Sequence, residues 1–182
     1  MTVTPAPGPL LTTARYELWQ PRADDLAELF DLTRDEETRR FLGGFVPSEA
    51  DSFARLLRNA GSWALWGYGT FMVRRRGRGE ARIVANCGVF RSHRGFGESQ
   101  GLDNVPEAGW IIHRDAWGQG LASEVMPAAL AWFDATHGRQ RVASMIEEGH
   151  GASEAIAVKL CFVRYGTQQP DSGAALGLWE RV

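Results

Sequence analysis

Gly118 and Gly120 stand two residues apart in Gly109-Trp110-Ile111-Ile112-His113-Arg114-Asp115-Ala116-Trp117-Gly118-Gln119-Gly120-Leu121-Ala122-Ser123-Glu124. An apolar strand that enters a glycine-rich turn and leaves as a helix can hold an anion. Glycine lets the backbone approach a ligand closely. The unpaired N–H groups of the first helical turn then face outward at the positive end of the helix dipole. A phosphate or pyrophosphate is the natural guest. The alternative is a tight strand-to-helix turn that binds nothing. The spacing is not that of G-x-G-x-x-G, and no Gly-Lys-Ser/Thr follows as in a P-loop.

The elements around this turn follow from periodicity. Alternation in Arg15-Tyr16-Glu17-Leu18-Trp19 predicts a first strand over 13–20. Ala23-Asp24-Asp25-Leu26 opens a helix carrying Leu26, Leu29, Phe30 and Thr33 on one face, and a short helical piece runs from Asp35 to Leu42. Ser48-Glu49-Ala50-Asp51 is a capping-box pattern before a helix with Phe53, Leu56, Leu57 and Ala60 as its buried stripe. Strands over 70–74 and 81–90 form a hairpin whose tip carries Arg74, Arg75, Arg76 and Arg78, read as a solvated basic turn. The polar, Gly-rich stretch 91–105 is long for a loop and is therefore a candidate functional segment. A strand over 107–113 leads into the glycine turn. The next helix, to about His137, buries Val125, Ala129, Trp132 and Phe133; Pro127 inside it should kink it. A strand over 141–146, a helix over 151–160 and strands near 162–167 and 174–181 complete the chain. Trp63, Trp66, Tyr68 and Phe71 are read as core before pocket. Residues 1–11 read as a loose tail without the pattern of a secretory signal, and 12–182 as one α/β domain.

Composition narrows the function classes. The 182 residues carry a net charge of −2 and 23% charged residues. A nucleic-acid binder would need a basic face, so none is expected. No apolar run is long enough to span a membrane. The four histidines lack metal-ligand spacing, so no metal is expected. Two widely separated cysteines, Cys87 and Cys161, suit a reducing cytoplasm.

Ala116-Trp117-Gly118-Gln119-Gly120-Leu121-Ala122-Ser123-Glu124 resembles the acetyl-CoA motif of the GNAT superfamily of N-acetyltransferases, in the branch that includes the ribosomal-protein alanine acetyltransferases. A second motif follows in order: Val142-Ala143, then His150-Gly151-Ala152-Ser153, then Lys159-Leu160-Cys161-Phe162. Pro21 to Asp25 and Phe41 to Gly44 also fit, so the resemblance covers about residues 12–182. It implies the GNAT fold: a mixed, mostly antiparallel sheet with helices on both faces and a splayed central strand pair. It implies acetyl-CoA as co-substrate, with no metal, and an amine-bearing acceptor, either a protein N-terminus or a small molecule. A second copy of the chain is a candidate partner.

Residue by residue, the resemblance assigns the coenzyme to Trp117, Gly118, Gln119, Gly120, Leu121, Ala122 and Ser123 for the pyrophosphate. Ile111 and Ile112 would take the pantetheine arm as an added strand. His150 stands at the family's asparagine position, where its imidazole could cap the helix or bond pantetheine, with an exposed loop histidine as the plain alternative; Cys161 stands at the family's glycine, read as a small buried residue. Ser153 is placed nearest the sulfur, either donating to the departing thiolate or serving only the helix start. An attacking amine must be neutral, so a proton acceptor is needed. Glu107 is the candidate, with an Arg-paired strand-end carboxylate as its plain alternative; Glu98 and Asp103 come next. Glu124 is read as a complement to the helix dipole. The rival reading is a CoA-binding module without turnover.

Overall fold

Among the described residues, eight strands form one sheet in the order β1-β2-β3-β4-β5-β6-β8-β7. The computed structural model describes residues 8–43, 46–77, 82–96, 101–170 and 173–182. The strands are β1 (Leu11–Thr12), β2 (Tyr16–Trp19), β3 (Thr70–Arg75), β4 (Ile83–Arg91), β5 (Pro106–Ile112), β6 (Val142–Glu147), β7 (Val163–Gln168) and β8 (Leu176–Arg181). The helices are α1 (Leu26–Arg34), α2 (Glu36–Arg39), α3 (Glu49–Trp66), α4 (Leu121–His137) and α5 (Gly151–Lys159). Neighbouring strands are antiparallel except β5 and β6, which run parallel and share one residue pair, Glu107 with Ala143. The mixed α/β sheet with a splayed central pair is thus as expected.

Strand alternation sorts the two faces. Ala85, Cys87, Val89 and Ala108 point into the core built with Val125, Met126, Ala129 and Phe133 of α4 and Ala157 of α5. Met72 and Ile111 point the other way, onto Leu29 and Leu32 of α1 and Leu56 of α3, and a register shift between β3 and β4, from Val73–Ala85 to Arg74–Ile83, turns Ile83 to that face as well. Trp63 and Phe71 pack with Trp132, and Tyr68 packs on Phe133, so these aromatics are core; Trp66 is instead 43% exposed.

Several expectations need correction. The strand predicted over 13–20 is shorter, Tyr16–Trp19, because Thr13 to Arg15 turn between it and the unforeseen β1, with Thr13 N–H donating to Tyr16 O. Leu11 and Thr12 pair with Leu18 and Glu17, so order begins inside the expected tail. The buried stripe of α3 is Ser52, Leu56, Asn59 and Ser62, while Phe53 and Leu57 are half exposed. Those polar groups are bonded inward, Ser62 Oγ to Tyr68 O at 2.8 Å and Asn59 to Asn86 at 3.4 Å, which offsets their burial. Arg74 is no part of a solvated tip. Alternation turns it onto the α1 face, where it is buried and ion-paired with Asp25 at 2.6 Å and Glu28 at 2.8 Å. Arg78 lies outside the described residues. The α4 helix continues through Pro127. Among the described residues, no helix is long and apolar enough to cross a membrane.

Candidate functional site

Where β5 and β6 part, a cavity of about 670 Å³ opens. Trp110 to Ile112 form one wall, and Ile146, Glu147 and Gly149 to Ser153 form the other. Gly118, Gly120, Leu121, Ala122 and Ser123 close one end, and Thr38, Phe41 and Leu42 cover it from α2 and the turn after it.

The glycine turn has the geometry that its sequence required. Gly118 and Gly120 have φ of 68° and 72°, a left-handed conformation that costs other residues strain. A Cβ on Gly118 would meet nothing within 4 Å. On Gly120 it would lie at ordinary contact distance, 3.5 Å, from Arg15 Nη2. Glycine at 120 is therefore explained by its φ, since no protein atom crowds the position. The first backbone N–H of α4 with an acceptor among the described residues is that of Glu124, which bonds Gly120 O at 3.1 Å. The N–H groups of Leu121, Ala122 and Ser123 are left for a ligand.

On β5, the groups that face the gap are those of Ile112 and Trp110, not Ile111. His113 N–H donates to Val84 O on β4, and the indole of Trp117 donates to Ile112 O at 2.8 Å from the other side. By alternation, Ile111 spends its N–H and C=O on β4 opposite Asn86. Its side chain belongs to the opposite core, although it still borders the cavity. Ile112 N–H and Trp110 C=O are the gap-facing groups that could pair with an extended ligand. Trp117 is half exposed, and Gln119 lies outside the cavity lining.

Across the gap, Ser153 is buried and accepts from Trp110 Nε1 at 3.1 Å. His150 makes no side-chain cap on α5. Its ring stacks on Phe41 at 4.0 Å between centroids, 9° from parallel. Burial lowers its pKa, which favours the neutral imidazole.

Glu107 is buried at the closed end of the split. Arg94 Nη2 meets its Oε1 at 2.5 Å and Arg94 Nε its Oε2 at 3.1 Å, and Ser92 Oγ donates to it as well. The Arg-paired alternative thus describes its surroundings, and Glu107 does not line the cavity. Asp103 is also buried and accepts from the backbone of Arg94 and Gly95, which folds the base of the 91–105 segment onto the sheet. Glu98 lies outside the described residues. Cys161 is exposed, not buried, with φ of 63°.

Glu124 does more than complement a dipole. Its carboxylate accepts from Thr13 Oγ1 at 2.7 Å, Arg15 N–H at 2.8 Å and Arg15 Nε at 2.6 Å. Burial would push its pKa up, but these hydrogen bonds outweigh that and hold it below the usual range. Sequence reasoning missed Trp110, Phe41 and Arg15. Trp110 had a local signal, as an indole on the strand leading to the glycine turn, and Phe41 lay in the 41–44 stretch that fits the resemblance; Arg15 had none. Among the described residues, no cluster of His, Cys, Asp or Glu is placed to hold a metal ion.

The arrangement suits an elongated molecule with an anionic group at the glycine turn and a polar chain along β5. Comparisons with known proteins agree in fold. A protein of Bordetella pertussis described as a GnaT-family acetyltransferase superposes with a TM-score of 0.83 at 31% identity, over 94% of this chain and 98% of that one. The microcin C7 self-immunity acetyltransferase MccE, solved with acetyl-CoA and AMP, gives 0.72 at 13% identity over 97% of each chain. The ribosomal-protein-S5-alanine acetyltransferase of Vibrio fischeri gives 0.69 at 14%, over 94% and 95%. The family model described as Acetyltransferase (GNAT) domain matches residues 15–163, both walls of the cavity and the turn between them. The chain belongs to the GNAT acetyltransferase family.

Proposed function

We propose that the protein transfers the acetyl group of acetyl-CoA to a primary amine, on a peptide N-terminus or a small molecule, by direct attack. The observation that carries this is the cavity at the β5–β6 split, with a phosphate-suited turn at one end and Ser153 along its wall. The residues fit the coenzyme on two counts. The free N–H groups of Leu121 to Ser123 and the positive-φ glycines suit a pyrophosphate. Trp110 C=O and Ile112 N–H suit the amides of pantetheine.

Bound there, acetyl-CoA supplies an activated thioester. Ile112 N–H is the strand donor available to the oxygen that gains charge during attack. Ser153 receives the Trp110 N–H on its oxygen, which leaves its own proton for the departing sulfur. Glu107 is retained as proton acceptor on the α1/α3 side of β5; an incoming ammonium must compete with Arg94 and Ser92 for its oxygens. The neutral His150 and Phe41 would shield the thioester end from water. Two free cysteines support a cytoplasmic setting.

Thiol release from acetyl-CoA, screened against small amines and N-terminal peptides, tests this reading. Amine-dependent release is the expected result. Tight coenzyme binding with no release for any acceptor would favour a non-catalytic CoA-binding module.

A further inference from the structure

Arg15 lies on the turn between β1 and β2, far in sequence from the glycine turn, yet it grips that turn from outside. Its Nε meets Glu124 Oε2 at 2.6 Å and its backbone N–H meets Oε1 at 2.8 Å. Its Nη1 donates to Gln119 O at 2.8 Å. Arg75 Nη2 holds the Gln119 side chain at 2.7 Å, and the Gln119 amide donates to Asp115 O at 2.6 Å.

A trans peptide is planar, with its C=O and N–H pointing opposite ways, and no cis bond occurs among the described residues. Fixing Gln119 O outward toward Arg15 therefore sends Gly120 N–H the other way. Gly118 and Gly120 line the cavity and Gln119 does not, so that direction is inward. We infer that Arg15, braced by Glu124, is a positioning residue that presets the Gln119–Gly120 peptide so that its N–H faces the coenzyme pyrophosphate.

Three donors on one carboxylate explain why Glu124 serves as the brace. With Nε on Glu124 and Nη1 on Gln119, the planar guanidinium cannot turn without losing both bonds. Lysine offers a point charge in place of this fork. The inference rests on the pyrophosphate lying at residues 118–123, so its test carries a control on that placement.

The test compares Arg15→Lys, Glu124→Gln and Gly118→Asp with the parent by calorimetry, using coenzyme A and S-acetyl-pantetheine, which lacks the pyrophosphate. Thermal melts check that each variant is folded. Arg15→Lys and Glu124→Gln should each weaken coenzyme A binding by about tenfold or more and leave S-acetyl-pantetheine binding unchanged. Since Arg15→Lys keeps the charge, its loss reports the fork rather than general attraction. Unchanged coenzyme A affinity in both, with Gly118→Asp impaired, would overturn the brace and keep the site. Equal losses for the two ligands would also overturn it. If Gly118→Asp too binds normally, the pyrophosphate lies elsewhere and both readings fall.

Discussion

The indole of Trp110 on β5 donates to Ser153 Oγ on α5 at 3.1 Å, and so bridges the strand and helix that flank the split. Indole N–H is only a donor, so the serine oxygen accepts and its proton is free to point into the cavity. Ser153→Ala should lower kcat by ~10²-fold, in the range of general acid catalysis, with little change in coenzyme affinity. Trp110→Phe should lower kcat less and add nothing in the Ser153→Ala background. Steady-state rates of the four proteins check this. An equal fall in both backgrounds would make the indole a packing group alone.

Glu107→Gln keeps the shape of the side chain but cannot take a proton. Turnover of the best amine should fall by ~10²-fold while acetyl-CoA still binds, and raising the pH should restore part of the loss by delivering more neutral amine. Arg94 would lose one charged partner, so melts must accompany the rates. Turnover that is unaffected would remove Glu107 as the base and turn attention to Asp103.

His150 is pushed toward the neutral form by burial, below its usual 6.5. The unfolded chain then binds the proton more readily than the folded one. Stability from this group is fully present well above pH 6.5 and declines as pH falls through 6.5 toward the lower folded value. Melting temperatures from pH 5 to 8 should slope upward with pH in the parent (a window set by the imidazole titration). The slope should be shallower in His150→Asn. Parallel curves would show that His150 does not carry the dependence.

Cys161 occupies the C′ position of a Schellman ending to α5. Phe162 N–H bonds Ala157 O at 2.9 Å, and Cys161 N–H bonds Val158 O at 3.0 Å. The residue between must be left-handed, and Cys161 adopts φ of 63° at a cost that glycine avoids. Cys161→Gly should raise stability by about 1 kcal/mol with no change in kcat, read by denaturant melts. A destabilised variant would mean that the thiol makes compensating contacts.

Local patterns made much of this legible. Apolar runs on either side of a glycine-rich turn marked Thr70–Arg75 and Ile83–Arg91 as a hairpin, and glycine spacing marked the turn at 118–120. Burial on α3 was misread because apolar spacing was followed, whereas Ser52, Asn59 and Ser62 face inward with partners supplied by other elements. Arg74 looked solvated for the same reason: Asp25 and Glu28, which neutralise it, lie more than forty residues earlier. The bond from Arg15 to Glu124 spans 109 positions, and no periodicity encodes such a pair. Ile112 rather than Ile111 facing the gap follows from register, which is set by β4 and cannot be read from β5 alone.

The lone pair Glu107–Ala143 also bears on how the chain assembles. From β1 to β5 each strand pairs with its sequence neighbour, although α1 to α3 separate β2 from β3. Beyond the split, β6, β8 and β7 form a second set of antiparallel pairs. Antiparallel neighbours close mostly modest loops, while the parallel join must close across the whole of α4, which packs on one face of the sheet. Having only one residue pair to zip, that join adds little to the drive for folding. The two halves of the sheet can therefore gain order separately, and the seam between them is expected to set last and, in amide exchange, to open first.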